Sequence, residues 1–166
     1  LAPPNISGTI TVAGIQPNWV NVGFIPSLSV SNNTAKEEYW SNGSADGYFG
    51  ATVPAGLYRL WINYRNNKTD GSTVPGPLCE VPTSGNVICD VALPANNFNF
   101  TISNYSSSVL TSGTYAGIQV KEGSNYLWTC CSNPDSTGRF NTSLVNGSYR
   151  IQVMSNKDGA TQGTGQ

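Results

Sequence analysis

Apolar and polar residues alternate in short runs along most of the chain. In "ISGTITV", Ile6, Gly8, Ile10 and Val12 share one phase, with Ser7, Thr9 and Thr11 on the other. In "YRLWI", Tyr58, Leu60 and Ile62 share a phase, and in "YRIQV" Tyr149, Ile151 and Val153 do the same. A period of two places alternate side chains on opposite faces of an extended strand. The pattern predicts strands at Ile6–Val12, Val20–Ile25, Tyr58–Ile62, Pro77–Val81, Asn86–Leu93, Phe98–Ser103, Tyr115–Val120 and Tyr149–Val153. No segment carries a helical period with caps at its ends. Many short strands punctuated by Gly, Pro, Asn and Ser predict an all-β fold of the sandwich type.

The pattern also repeats. "SNGSADGYFGATVPAGLYRLWI" (41–62) lies over "SNPDSTGRFNTSLVNGSYRIQV" (132–153) without a gap, matching Gly47 to Gly138, Phe49 to Phe140, Gly56 to Gly147, and Tyr58-Arg59 to Tyr149-Arg150. In each copy a turn at Asp46-Gly47 or Thr137-Gly138 demands a positive φ, a Phe points inward, and a corner before Tyr reverses the chain. Phe, Gly, Tyr and Arg at shared offsets mark an internal duplication. The reading is two tandem immunoglobulin-like β-sandwich units, 1–95 and 96–155, followed by a flexible tail, 156–166.

The opening "SGTITV…VNVGFI" and the run "GYFGATVPAGLYRLWI" resemble the carboxypeptidase regulatory-like domain. The first copy keeps Gly47, Phe49, Pro54, Gly56 and Tyr58; the second keeps Gly138, Phe140, Gly147 and Tyr149, with Val145 in place of the proline. The resemblance implies a transthyretin- or immunoglobulin-type sandwich, an extracellular or cell-surface setting, and an accessory or structural role with no catalytic residue.

The two copies end differently. The first continues through 77–81 and 86–93, whereas the second is followed only by "MSNKDGATQGTGQ", which has no apolar alternation. The second unit is therefore expected to lack its closing strand and to leave an apolar groove beside an unpaired edge. "LPANNFNFTI" (93–102) overlays "LAPPNISGTI" (1–10), so Leu1 falls where the closing strand of a preceding unit would end. The expectation is an extracellular filament whose subunits, copies of this chain, exchange strands in the manner of donor-strand-exchange pili. The candidate donor is Ile6, Gly8, Ile10 and Val12; the candidate acceptor edge is Tyr149, Ile151 and Val153. The alternative is a segment of a long cell-surface adhesin or stalk, or a carbohydrate-binding module, closed by a strand in cis.

Composition narrows the chemistry. Charged residues are 10% of the chain and the net charge is −1, so no basic stripe exists to bind nucleic acid or an anionic membrane. No apolar run is long enough to span a bilayer. With no His, general-base work would fall to a few carboxylates; Glu37-Glu38 point opposite ways on a strand, and Asp46 and Asp135 suit turns. No enzyme activity, cofactor or metal is expected. Cys79 and Cys89 flank a candidate hairpin over 82–86 that would place them opposite one another, leaving Cys130 and Cys131 as neighbours; cross-linking between the two pairs is the rival arrangement. Glycosylation motifs stand at Asn5, Asn32, Asn42, Asn67, Asn99, Asn104, Asn141 and Asn146. Attached sugar would offset the scarcity of surface charge. Trp19, Trp40, Trp61 and Trp128 suit either a sugar platform or a thin core, and the lack of an isolated aromatic pair on a polar strand favours the core.

Overall fold

The computed structural model describes residues 4–65, 71–104, 106–111, 113–128, 134–155 and 163–165. These residues are all-β. The strands are β1 (Ile6–Val12), β2 (Trp19–Pro26), β3 (Tyr39–Trp40), β4 (Tyr48–Ala51), β5 (Gly56–Arg65), β6 (Gly71–Val81), β7 (Val87–Ile88), β8 (Val91–Leu93), β9 (Phe98–Thr101), β10 (Thr114–Glu122), β11 (Asn125–Trp128), β12 (Arg139–Thr142), β13 (Tyr149–Ser155) and β14 (Gly163–Gly165).

The first eight strands build two sheets. One has β1 at its centre, with β4 antiparallel on one edge and β7 and β8 parallel on the other; the second runs β3-β2-β5-β6. The alternation along β1, β2 and β5 aims Ile6, Ile10, Val22, Phe24, Tyr58, Leu60 and Ile62 at the space between the sheets, where all are fully buried with Phe49. Rings of Phe24 and Tyr58 meet edge-on at 6.3 Å. The remaining strands form a sheet β11-β10-β13-β14 and a two-stranded sheet β9-β12.

The duplicated sequence has a duplicated register. Ile6–Thr9 pair with Ala51–Tyr48 as Phe98–Thr101 pair with Thr142–Arg139. Val20, Val22, Phe24 and Pro26 face Tyr64, Ile62, Leu60 and Tyr58, and Thr114, Ala116, Ile118 and Val120 face Ser155, Val153, Ile151 and Tyr149 in the same order. A side-chain amide clamp recurs as well. Asn5 donates to the Val53 carbonyl at 2.7 Å and accepts from its N–H at 3.0 Å; Asn97 does the same with Leu144 at 2.9 and 2.8 Å. Gly47 (φ 68°) and Gly138 (φ 82°) hold the expected left-handed turns, and a Cβ on Gly47 would sit 2.6 Å from the Ile10 carbonyl oxygen.

Three expectations change. Cys79 and Cys89 are joined, with Cα atoms 6.5 Å apart, but no hairpin connects them. β6 and β7 belong to opposite sheets, so the disulfide staples the two layers together. The strand expected over 86–93 breaks at Cys89-Asp90, because the Asp90 carboxylate turns back to accept from the N–H and hydroxyl of Thr9, both at 2.9 Å. The tail contributes a strand: Gly163–Gly165 pairs with Val153–Ile151. A Gly-Thr-Gly segment pairs through its backbone alone and leaves no apolar alternation to read.

Candidate functional site

The two copies differ most where the second was expected to be open. Tyr58, Leu60 and Ile62 are fully buried, whereas Tyr149, Ile151 and Val153, at the same register positions, are only half-buried. In the first copy the covering side chains include Val81, Val91 and Leu93, each 4% exposed or less. In the second, Tyr149, Ile151 and Val153 line an open apolar groove of about 640 Å³ across from Phe98, Phe100 and Ile102. Phe100 stands where the first copy has Gly8, and its ring stacks on Phe140 at 4.7 Å to form part of the groove wall.

The backbone beside the groove is open on one side. β9 pairs with β12 along one edge, and no strand among the described residues pairs with the other. In the first copy the equivalent edge of β1 is filled: Val87 N–H donates to the Asn5 carbonyl at 2.9 Å, Cys89 N–H to Ser7 at 2.8 Å, and Ala13 N–H to Leu93 at 2.9 Å. An exposed strand edge next to an apolar trough is the arrangement that accepts an added strand.

The expected acceptor and donor both need correction in detail. β13 carries the groove-lining side chains, but it pairs with β10 along one edge and, at Ile151–Val153, with β14 along the other, so among the described residues the unpaired main-chain edge beside the groove is that of β9. Ile6, Gly8 and Ile10 of the expected donor face the core of their own copy, Ile6 and Ile10 fully buried, and Val12 packs against that core. The strand holding them is the centre of its sheet.

A second constellation joins the copies and was not anticipated. Glu122, 2% exposed, accepts from Arg59 Nε at 2.6 Å, from the Ser27 hydroxyl at 2.8 Å and from the Leu28 N–H at 2.6 Å. Arg59 also donates to the Gly76 carbonyl at 3.0 Å. The sequence does hold a signal for Glu122: it sits in the inward phase of Ala116, Ile118 and Val120, where a carboxylate requires a partner. Burial raises the Tyr149 hydroxyl above its ordinary pKa, with the positive charge of Arg59 pulling in the opposite sense.

Of the glycosylation motifs, Asn32, Asn42, Asn99, Asn104, Asn141 and Asn146 are exposed, while the Asn5 amide is tied to Val53. Asn67, Cys130 and Cys131 lie outside the described residues. Among the described residues no cluster of three or more Cys, Asp or Glu is placed to hold a metal ion, and no helix is long and apolar enough to cross a membrane. Comparison with protein-family models, with curated proteins and with solved structures finds no match.

Proposed function

We propose that the chain is a structural subunit of an extracellular filament, built from two tandem immunoglobulin-like sandwich units, the second completed by a strand from a neighbouring copy. The observation that carries this reading is the contrast between buried Tyr58, Leu60 and Ile62 and the open groove under Tyr149, Ile151 and Val153. The first unit serves as the template for the missing piece. There β8 runs parallel to β1, Val91 beside Ile10 and Leu93 beside Val12, and both side chains enter the core. The occupant is accordingly an extended strand with apolar residues at alternate positions, running parallel to β9 and its continuation through Ile102. Each such side chain, once covered, contributes roughly 1.5–3 kcal/mol. The Cys79–Cys89 bridge suits an oxidising, extracellular setting.

The donor cannot be Ile6–Val12 without emptying the first unit, so Ile10→Asp would unfold that unit rather than report on donation. Ile151→Asp is the informative change, because it charges the groove and leaves the first core untouched. The expected result is loss of fibres in electron micrographs with the first unit still folded. Fibres that form as before would sink the reading. A second reading has its own support: β8 closes the first unit in cis, which suits a stalk or adhesin of stacked units. A peptide of residues 86–93 with Cys89→Ser tests the open groove that both readings require. It should raise the melting temperature of the chain, and an Ile151→Asp chain should not respond.

A further inference from the structure

The outer face of the β3-β2-β5-β6 sheet carries an aromatic pair that the core does not use. On β5, Tyr58, Leu60 and Ile62 point inward, so Trp61 and Asn63 point outward. Trp40, 47% exposed, lies beside Trp61 with ring centroids 6.5 Å apart. Its seat is Gly23: a Cβ there would come within 2.8 Å of the indole, so only glycine lets the ring lie flat on β2. Below the pair, Thr73 donates to Asn63 at 2.6 Å and Asn63 to Asn21 at 3.4 Å, giving a strip of amides and a hydroxyl. A second indole, Trp19, covers Gly43.

Asn42 lies in the chain between Trp40 and the Gly43 that Trp19 covers. Trp40 pairs with Gly23 and Ser44 with Val20, so residues 41–43 span a gap of two partners with three residues. That is an edge bulge, which re-aims side chains. Ser41 turns inward, 4% exposed, and its hydroxyl accepts from the Val22 N–H at 2.8 Å. Asn42 is exposed, and among the described residues its amide makes no hydrogen bond, unlike Asn99, which accepts from Arg139, or Asn104, which accepts from Ser106 and Ser108.

We infer that Asn42 carries an N-linked glycan whose first sugar lies on the Trp40 indole, so that this outer face is covered by the chain's own carbohydrate. The Asn42-Gly43-Ser44 triplet is the acceptor motif. Its Nδ2 forms a bond to the anomeric carbon of an oligosaccharide carried on a lipid phosphate; the carbon–oxygen bond to phosphate breaks, Nδ2 loses one proton, and the lipid phosphate leaves. The axial C–H face of a pyranose then meets the exposed indole face, and the hydroxyls reach the neighbouring amides. Flat aromatic surface beside a strip of uncharged amides suits a neutral sugar better than a charged partner.

The test uses the full chain from its native source. Trypsin releases residues 37–59, which contain Asn42 as their one acceptor motif, so mass measurement of that peptide reads the site directly. A hexose-containing adduct is expected; a bare peptide overturns the inference. Melting temperatures of the parent, Asn42→Gln, Trp40→Ala and the double variant then read the contact. Asn42→Gln should lower the melting temperature by about 2–4 °C in the parent and leave it unchanged in Trp40→Ala. Equal shifts in both backgrounds overturn the stacking. Acrylamide quenching of tryptophan fluorescence covers the case of a poorly folded Trp40→Ala: it should increase in Asn42→Gln. Unchanged quenching overturns the contact, and protection that depends on protein concentration shows that another copy and not the glycan covers this face.

Discussion

The Tyr149 hydroxyl donates to the Val145 carbonyl four residues back, at 2.6 Å, and Tyr58 makes the same bond to Pro54 at 3.0 Å. Each bond ties a strand to the corner that leads into it, and the Pro54-to-Val145 difference between the copies leaves it intact because only the carbonyl is used. Removing the hydroxyl leaves that carbonyl without its partner. Tyr58→Phe and Tyr149→Phe should each lower stability by about 1 kcal/mol in urea unfolding. Tyr58→Phe should cost more, since Tyr58 is fully enclosed and water cannot replace the lost donor. Equal, negligible costs would show that the corner is held by the backbone alone.

The same two tyrosines set the behaviour in alkali. Burial raises the Tyr58 hydroxyl above its ordinary pKa, with the nearby Tyr39 acting in the same direction, and burial raises Tyr149. The folded state thus holds these protons more tightly than the unfolded state, where tyrosine titrates near about 10. The stability they contribute is fully present below that value and is lost as pH rises through the folded-state pKa. Melting temperature should be flat to about pH 9 and fall above it, and Tyr58→Phe should shallow the fall. A parent and a variant with parallel alkaline profiles would refute the assignment.

Much of this architecture is legible in the residues, and the exceptions share a cause. Strand positions follow from period-two alternation, because a buried face demands it at Ile6, Ile10, Leu60 or Ile118 regardless of what lies opposite. The duplication extends to register because Gly47 and Gly138, with Phe49 and Phe140, fix the same turn and the same inward ring. What the sequence hides is which partner lies across a gap. Cys79 and Cys89 read as hairpin neighbours, yet the segment between them crosses from one sheet to the other. β14 offers only Gly-Thr-Gly and pairs through its backbone. Glu122 announces a need for a partner, but nothing local points to Arg59, 63 residues earlier. The open groove was readable as a missing strand; the free edge on β9 was not, since it depends on where the tail settles.

The disulfide should matter for the first sheet pair more than its short loop suggests. Opening Cys79–Cys89, with a sequence separation of 10, removes about 3 kcal/mol by loop entropy. It also frees the β7–β8 segment that flanks β1 and carries Val91 and Leu93 of the core. Cys79→Ser with Cys89→Ser should therefore lower the denaturation midpoint and speed hydrogen exchange at Val91 and Leu93 first. Uniform exchange across both sheets would show that the bridge acts on the unfolded chain only.

The pair with the largest expected effect is Arg59 and Glu122. Both are largely shielded, with the Glu122 side chain fully buried and that of Arg59 12% exposed. Glu122→Ala leaves the Arg59 guanidinium, the Ser27 hydroxyl and the Leu28 N–H without their acceptor in a dry junction. Losing one member of such a pair costs about 3–5 kcal/mol, whereas replacing both by apolar residues of similar volume is often close to neutral. Arg59→Met with Glu122→Met should recover most of what Glu122→Ala loses. Because this cluster bridges the two copies, its loss should also split their unfolding: calorimetry of Glu122→Ala should resolve two transitions where the parent gives one, and the double Met variant should merge them again. A Glu122→Ala chain within about 1 kcal/mol of the parent, melting in a single step, would mean that water enters the junction and that the copies are held together elsewhere.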